Sequence, residues 1–133
     1  MTRHNYTGAI RGYSRAAFSL IIFVQVIDVG IHVAANQVEP VRILAGVILT
    51  LYSGLGLTGR ASVGSALTAS AAYLVLNAWF LSAHGLTNPD IGNAPRYALF
   101  ALVTISIGLT LFSVHRRVEA AKAAVEDPSH MSD

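Results

Sequence analysis

Four long apolar stretches, separated by short polar turns, make up most of the chain. The apolar stretches cover residues 16–35, 41–59, 65–86 and 97–114. Each is close to the roughly 20 residues that an α-helix needs to cross a hydrocarbon core about 30 Å thick. The turns contain the Pro, Asn and Gly residues that end helices, and turns this short make consecutive helices antiparallel neighbours. The pattern therefore predicts an all-α integral membrane protein, a four-helix antiparallel transmembrane bundle.

Composition also favours a protein that lies in a lipid bilayer. Of the 133 residues, 53% are hydrophobic and 12% are charged, whereas a typical soluble domain has about 25% charged residues. We expect residues 1–115 to form the transmembrane domain and residues 116–133 to form a cytoplasmic tail that is partly helical. The chain has no cysteine, which excludes disulfides and thiolate metal sites. No basic stripe with interleaved aromatic residues indicates a nucleic-acid partner.

Lysine and arginine lie mostly on one side of the predicted bundle. Seven of them fall in the N-terminal segment, in the turn after the second helix or in the segment after the fourth: Arg3, Arg11, Arg15, Arg60, Arg116, Arg117 and Lys122. Only Arg42 and Arg96 fall on the other side. The positive-inside rule therefore predicts that both termini are cytoplasmic. We expect a multi-pass protein of a bacterial or archaeal cytoplasmic membrane.

The first apolar stretch follows three arginines, as the apolar region of a signal peptide does. It is longer than such a region usually is, and it contains Gln25 and Asp28, which such a region rarely tolerates. We therefore expect it to remain in the protein as the first transmembrane helix.

Arg42 and Arg96 open the second and fourth predicted helices on the outer side. A cation is unfavourable at this end of a helix because the helix dipole is positive there. Glu39, Asp90, anionic lipid headgroups or a carboxylate of another protein would each offset the charge. The interpretation that we favour is that both side chains extend to the membrane surface.

Polar residues form a stripe along the first helix. At 100° per residue, Gln25, Asp28, His32 and Asn36 fall within an arc of about 80°. A charged carboxylate inside a membrane costs about 2.5–3.5 kcal/mol, so Asp28 is expected to face the interior of the bundle. His32, one turn further on, is its expected partner.

The third helix carries a matching stripe of Ser70, Asn77 and His84, which are seven residues apart. The first and third helices start on the same side of the membrane. His32 and His84 are therefore expected at a similar depth, where they would face each other.

Three hypotheses account for these polar residues. In the first, Gln25, Asp28, His32, Asn77 and His84 form a buried hydrogen-bond network that fixes the packing of the helices. In the second, Asp28 and His32 bind a proton, a small ion or a polar ligand, and Asn36 lies on the same stripe. In the third, His32 and His84 are ligands of a b-type haem or of a metal, although we predict no cofactor.

The sequence lacks the residue patterns of the common hydrolases and transferases. The letters GLGLTG at residues 54–59 match a dinucleotide-binding fingerprint, but they end a transmembrane helix instead of following a strand. No activated nucleophile, phosphate loop or suitably spaced pair of carboxylates is present. We expect a non-catalytic accessory subunit of a larger membrane complex or a homo-oligomer. Small residues four apart, at Gly46, Thr50 and Gly54 and at Gly64, Thr68 and Ala72, predict helix contacts.

Overall fold

Four helices make up most of the structure. The computed structural model describes the backbone of residues 3–34, 39–89 and 92–125, and the side chains of residues 12–34, 39–89 and 92–122. The helices are α1 (Arg3–Ala34), α2 (Pro40–Leu57), α3 (Val63–His84) and α4 (Tyr97–Val125). Each of the four is long and apolar enough to cross a membrane. The prediction of a helical protein with four helices able to cross a membrane is therefore confirmed.

The ends of the inner helices follow from local sequence. α2 begins at Pro40, whose fixed φ and missing N–H suit the first turn of a helix. α3 begins after Ser62, which forms a capping box because Ser62 and Ser65 each accept a hydrogen bond from the other's backbone N–H. The outer helices are longer than their apolar stretches. α1 already begins at Arg3, and α4 continues to Val125.

The turn between α3 and α4 contains a small hairpin that the sequence analysis did not predict. Strands β1 (Thr87–Asn88) and β2 (Ala94–Pro95) pair in an antiparallel register. Gly92 has a φ of 68° and Asn93 has a φ of 60°. Both values lie in the left-handed region that glycine and asparagine tolerate best. Strands of two residues are too short to give an alternating apolar pattern.

Packing is unequal among the helices. α1 lies against both α2 and α4, α2 also lies against α3, and the contact between α3 and α4 is the smallest of these. The apolar core between α1 and α2 contains Phe18 and Leu49, both fully buried. The ring of Phe18 lies over Gly56, where a Cβ atom would be only 2.4 Å from the ring. Gly56 therefore sets how closely α1 and α2 approach.

Only some of the small residues that predict helix contacts lie against another helix of the chain. Gly46 of α2 lies close to Gln25 of α1, because a Cβ atom there would be 3.3 Å from the Gln25 side-chain oxygen. Gly54 has nothing within 4 Å of such an atom. On α3, Gly64 and Thr68 are exposed. The close approach at Gly56 was not among the predicted contacts, because it depends on a large side chain facing a single glycine.

Arg117 of α4 ties this helix to the turn between α2 and α3. Its guanidinium donates hydrogen bonds to the backbone oxygens of Ala61 and Gly56. It also lies over the ring of Phe18, with its carbon 5.0 Å from the ring centre. The Gly56 oxygen also accepts from the backbone N–H of Gly59, so Arg117 adds a second donor at the end of α2 and also binds the oxygen of Ala61 beyond it.

Candidate functional site

Asp28 and Arg42 form a buried salt bridge between α1 and α2. Arg42 Nη2 donates to Asp28 Oδ1 over 2.7 Å, and the two residues are 5% and 7% exposed. Asp28 lies six residues from Ala34, the last residue of α1, which is about 9 Å along the helix. It therefore lies near the end of α1. At this depth it meets the first turn of α2, where Arg42 lies.

The position of Arg42 corrects the sequence-based interpretation. We expected its side chain to extend to the membrane surface, but it turns inward and becomes the main charged partner of Asp28. Its guanidinium carbon also lies 5.5 Å from the centre of the Phe80 ring on α3, which adds a cation–π interaction. Arg42 thus connects three helices. Its Nε atom is buried without a hydrogen-bond partner.

His32 contacts both members of this pair. Its Nδ1 atom lies 2.7 Å from the backbone oxygen of Asp28 and 3.5 Å from Asp28 Oδ1. Its Nε2 atom lies 2.6 Å from Arg42 Nη1. The expected closeness of Asp28 and His32 is therefore observed, with Arg42 as a third member. We call these three residues the charged cluster.

Gln25 lies apart from the charged cluster and contacts a different helix. Its Nε2 atom donates to Ser106 Oγ of α4 over 2.8 Å, and the residue is 3% exposed. Its Oε1 atom is buried beside Gly46 without a hydrogen-bond partner. The stripe on α1 is thus divided between two neighbours, α2 and α4. Asn36, the fourth residue of the stripe, lies outside the described residues.

The stripe on α3 does not form one network either. Asn77 is buried, and its side-chain nitrogen donates to the backbone oxygen of Tyr73 on its own helix over 2.8 Å. His84 stacks on Phe80, with ring centres 4.6 Å apart. Its Nε2 atom lies 3.5 Å from Glu39 Oε1. Among the interactions described, Asn77 has no direct link to the charged cluster.

His32 and His84 border the same cavity, which has a volume of about 180 Å³. It lies at the end of the bundle where α1 and α3 end and where α2 and α4 begin. The other residues that line it are Glu39, Phe80, Asn88, Pro89 and Arg96. Arg96 lies over Phe80 at 5.1 Å from the ring centre. His32 therefore contacts both the cavity and the charged cluster, whereas Asp28 and Arg42 do not line the cavity.

The geometry bears on the haem and metal hypothesis. Within residues 3–34, 39–89 and 92–125, no three His, Cys, Asp or Glu residues come together closely enough to hold a metal ion. Both ring nitrogens of His32 already have partners. To ligate haem iron, His32 would have to release Arg42 or the backbone oxygen of Asp28.

Four residues of the candidate site were not assigned to it from the sequence: Arg42, Phe80, Arg96 and Ser106. A signal for Arg42 was present, because it is 14 residues after Asp28 across a short turn. An arginine in the first turn of one helix then lies at the depth of an acidic residue near the end of the helix before it. No comparable signal connects Gln25 with Ser106, which is 81 residues away in the chain.

Comparisons with protein-family models, with curated proteins and with solved structures find no match to this chain in any of the three.

Proposed function

We propose that this chain is a small, non-catalytic membrane protein that works as a subunit of a homo-oligomer or of a larger membrane complex. In this proposal it is an antiparallel four-helix bundle with both termini in the cytoplasm. The observation that supports it best is an outward-facing groove of about 250 Å³ between α1 and α2. The groove is lined by Gln25, Val26, Val29, Gly46, Val47, Thr50 and Leu51.

This groove has the composition of a helix contact. Gly46 and Thr50 are small residues one turn apart, and small residues allow helices in a membrane to approach closely. Val26 and Leu51, at its edges, are 62% and 65% exposed. The charges of Asp28 and Arg42, by contrast, are paired within the chain. A second helix in this groove would therefore meet apolar and small side chains, without an unpaired charge.

Cysteine cross-linking in membranes tests this contact, because the chain has no cysteine of its own. We expect Leu51→Cys to form a covalent dimer on mild oxidation. Val75→Cys is the matched control, because Val75 is 64% exposed on α3 and lies outside the groove. Equal cross-linking of both variants, or of neither, would contradict a specific contact between copies of this chain at the groove.

Orientation requires a separate test. The bias of lysine and arginine supports cytoplasmic termini. A membrane-impermeant maleimide added outside intact cells should label Leu86→Cys, in the turn between α3 and α4. It should label Lys122→Cys only after the membrane is opened. The reverse pattern would overturn the proposed orientation.

A second function is favoured by the cavity beside His32. In this alternative, the protein handles a proton, an ion or a small ligand at Asp28 and His32. The contact of His32 with both the cavity and the salt bridge supports it. A ligand that binds only the folded protein must stabilise it. We therefore expect the melting temperature to depend on pH or on one ion in the wild type but not in Asp28→Asn. Identical responses of both proteins would contradict this function.

A further inference from the structure

We propose that an open pocket at the end of α2 binds the phosphate group of an anionic phospholipid. The pocket has a volume of about 540 Å³. It is lined by Ser14 and Arg15 of α1, by Arg117 of α4 and by residues 56–59, where α2 ends. We call it the arginine pocket. It shares no lining residue with the cavity beside His32 or with the groove between α1 and α2.

The length of α2 places the arginine pocket at the depth of lipid phosphates. α2 has 18 residues, so it is about 27 Å long at 1.5 Å per residue. This is close to the thickness of the hydrocarbon core, about 30 Å. α2 therefore needs its whole length to cross the membrane. Its last residues, Gly56 and Leu57, then lie where the hydrocarbon ends and the headgroups begin.

Two arginines give the pocket a net positive charge. The end of a helix carries a partial charge of about −0.5, which a single guanidinium more than offsets. Neither Arg15 nor Arg117 forms a salt bridge with a carboxylate of the described side chains. Within that part of the chain, no carboxylate lines the pocket either. An anion bound there would therefore meet two cations.

The two arginines differ in what they can offer a phosphate. Arg117 already donates to the backbone oxygens of Ala61 and Gly56 and lies over the ring of Phe18. It is thus held in place and contributes mainly its charge. Arg15 lies three residues before Phe18 on α1, and its side chain is exposed. Its guanidinium can donate two parallel hydrogen bonds to phosphate oxygens.

The size and charge of the pocket favour an anionic lipid over other sources of phosphate. Its volume lies within the range of about 300–1,000 Å³ that is typical of small-molecule sites, and it exceeds what a single phosphate ion fills. Basic pockets at a membrane surface are suited to lipid headgroups. The two arginines would repel the ammonium group of a zwitterionic headgroup, which an anionic headgroup such as phosphatidylglycerol lacks.

Native mass spectrometry of the full chain in a neutral detergent tests the arginine pocket. The probes are dioctanoyl phosphatidylglycerol, which is anionic, and dioctanoyl phosphatidylcholine, which is zwitterionic. We expect the wild type to bind one molecule of phosphatidylglycerol and to bind it more tightly than phosphatidylcholine. Equal affinity for the two lipids would overturn the proposal. This comparison needs only the wild-type protein, so a variant that fails to fold leaves the test intact.

Substitutions of Arg15 locate the site. Arg15→Gln should weaken the binding of phosphatidylglycerol by about 10–100-fold, because it removes a pair of charge-assisted hydrogen bonds. Arg15→Lys keeps the charge but not the paired donors, and it should lose less. Unchanged affinity in Arg15→Gln would overturn the proposal.

Arg116→Gln is the matched control for charge. Arg116 is adjacent to Arg117, but its guanidinium lies over the rings of Tyr13 and Phe112, and it does not line the pocket. Its affinity should stay within about twofold of wild type, because salt screens charges outside the pocket. A loss equal to that of Arg15→Gln would overturn the proposal, since net charge alone would then explain the binding.

Inorganic phosphate, added as a competitor, distinguishes a lipid from a free ion. We expect it to displace phosphatidylglycerol only at a much higher concentration than that of the lipid. If inorganic phosphate instead binds as tightly as the lipid and with the same dependence on Arg15, the pocket is a site for free phosphate and its assignment to a lipid is overturned.

Discussion

Replacing Arg42 with methionine should be among the most destabilising single changes in this protein, because it leaves the Asp28 carboxylate buried without its cation. Removal of one partner from a buried ion pair typically costs 3–5 kcal/mol. Neither residue is more than 7% exposed, so solvent would screen the remaining charge little.

We therefore expect Arg42→Met to lower the free energy of unfolding by about 3–5 kcal/mol. Unfolding with sodium dodecyl sulfate in mixed micelles, followed by circular dichroism, measures this loss. The double variant Asp28→Leu with Arg42→Met carries neither charge and should be close to wild type in stability.

Two results would refute this reasoning. If Arg42→Met costs less than about 1 kcal/mol at pH 7, the pair behaves as an exposed one and the reasoning from burial is wrong. If the two single substitutions instead add up in the double variant, the residues do not interact across the helices. Asp28→Asn is informative too, because it leaves Arg42 as the unpaired charge and should also be destabilising.

Four further predictions concern other contacts. Gly56→Ala should destabilise the protein by about 1–3 kcal/mol because of the Phe18 ring, whereas Gly54→Ala, in open space on the same helix, should be neutral or slightly stabilising in the same unfolding assay. Arg117→Met should cost about 1–3 kcal/mol because it removes the hydrogen bonds to the backbone oxygens of Ala61 and Gly56; an equal loss in Arg116→Met would contradict this. Gln25→Leu should change stability by less than about 1 kcal/mol, because it removes one hydrogen bond and also one buried acceptor without a partner. Protein purified from haem-replete cells should show no Soret absorption band; a band that is lost in both His32→Asn and His84→Asn would support haem ligation.

The sequence was sufficient to predict the spanning helices because their signal is local. Each apolar stretch is long enough by itself to indicate a membrane-spanning helix. The residues that favour a helix start, Pro40 and Ser62, lie at the beginning of α2 and α3. α1 was predicted too short because its first residues are polar enough to lie outside the membrane and yet remain helical. The hairpin of Thr87–Asn88 and Ala94–Pro95 is too short for a periodic signal to appear.

The candidate site could be predicted only in part, because periodicity gives the direction of a side chain but not its partner. The common arc correctly placed Gln25 and Asp28 in the interior. It could not show that they contact different helices, since that depends on the crossing angles of α1 with α2 and α4. The prediction for the side chain of Arg42 was wrong, because an arginine at the start of a helix can either extend to the membrane surface or turn into the interior of the protein. The choice depends on whether a carboxylate is within reach.

The polar contacts between the helices differ in how far apart their two residues lie in the sequence, and this difference sets the order in which the contacts can form during synthesis. Asp28 and Arg42 are 14 residues apart, so they can pair as soon as α1 and α2 have left the ribosome. The bond between Gln25 and Ser106 and that between Tyr52 and Ser113 require α4, whose residues follow about 50 positions after the end of α2. At 5–20 residues per second, this is a delay of roughly 3–10 s. During that time the helix pair of α1 and α2 contains the paired charges of Asp28 and Arg42, but the side chains of Gln25 and Tyr52 lack their partners from α4. The paired charges allow α1 and α2 to enter the lipid early. Their unpaired polar groups then favour packing of α4 against them once it has been synthesised.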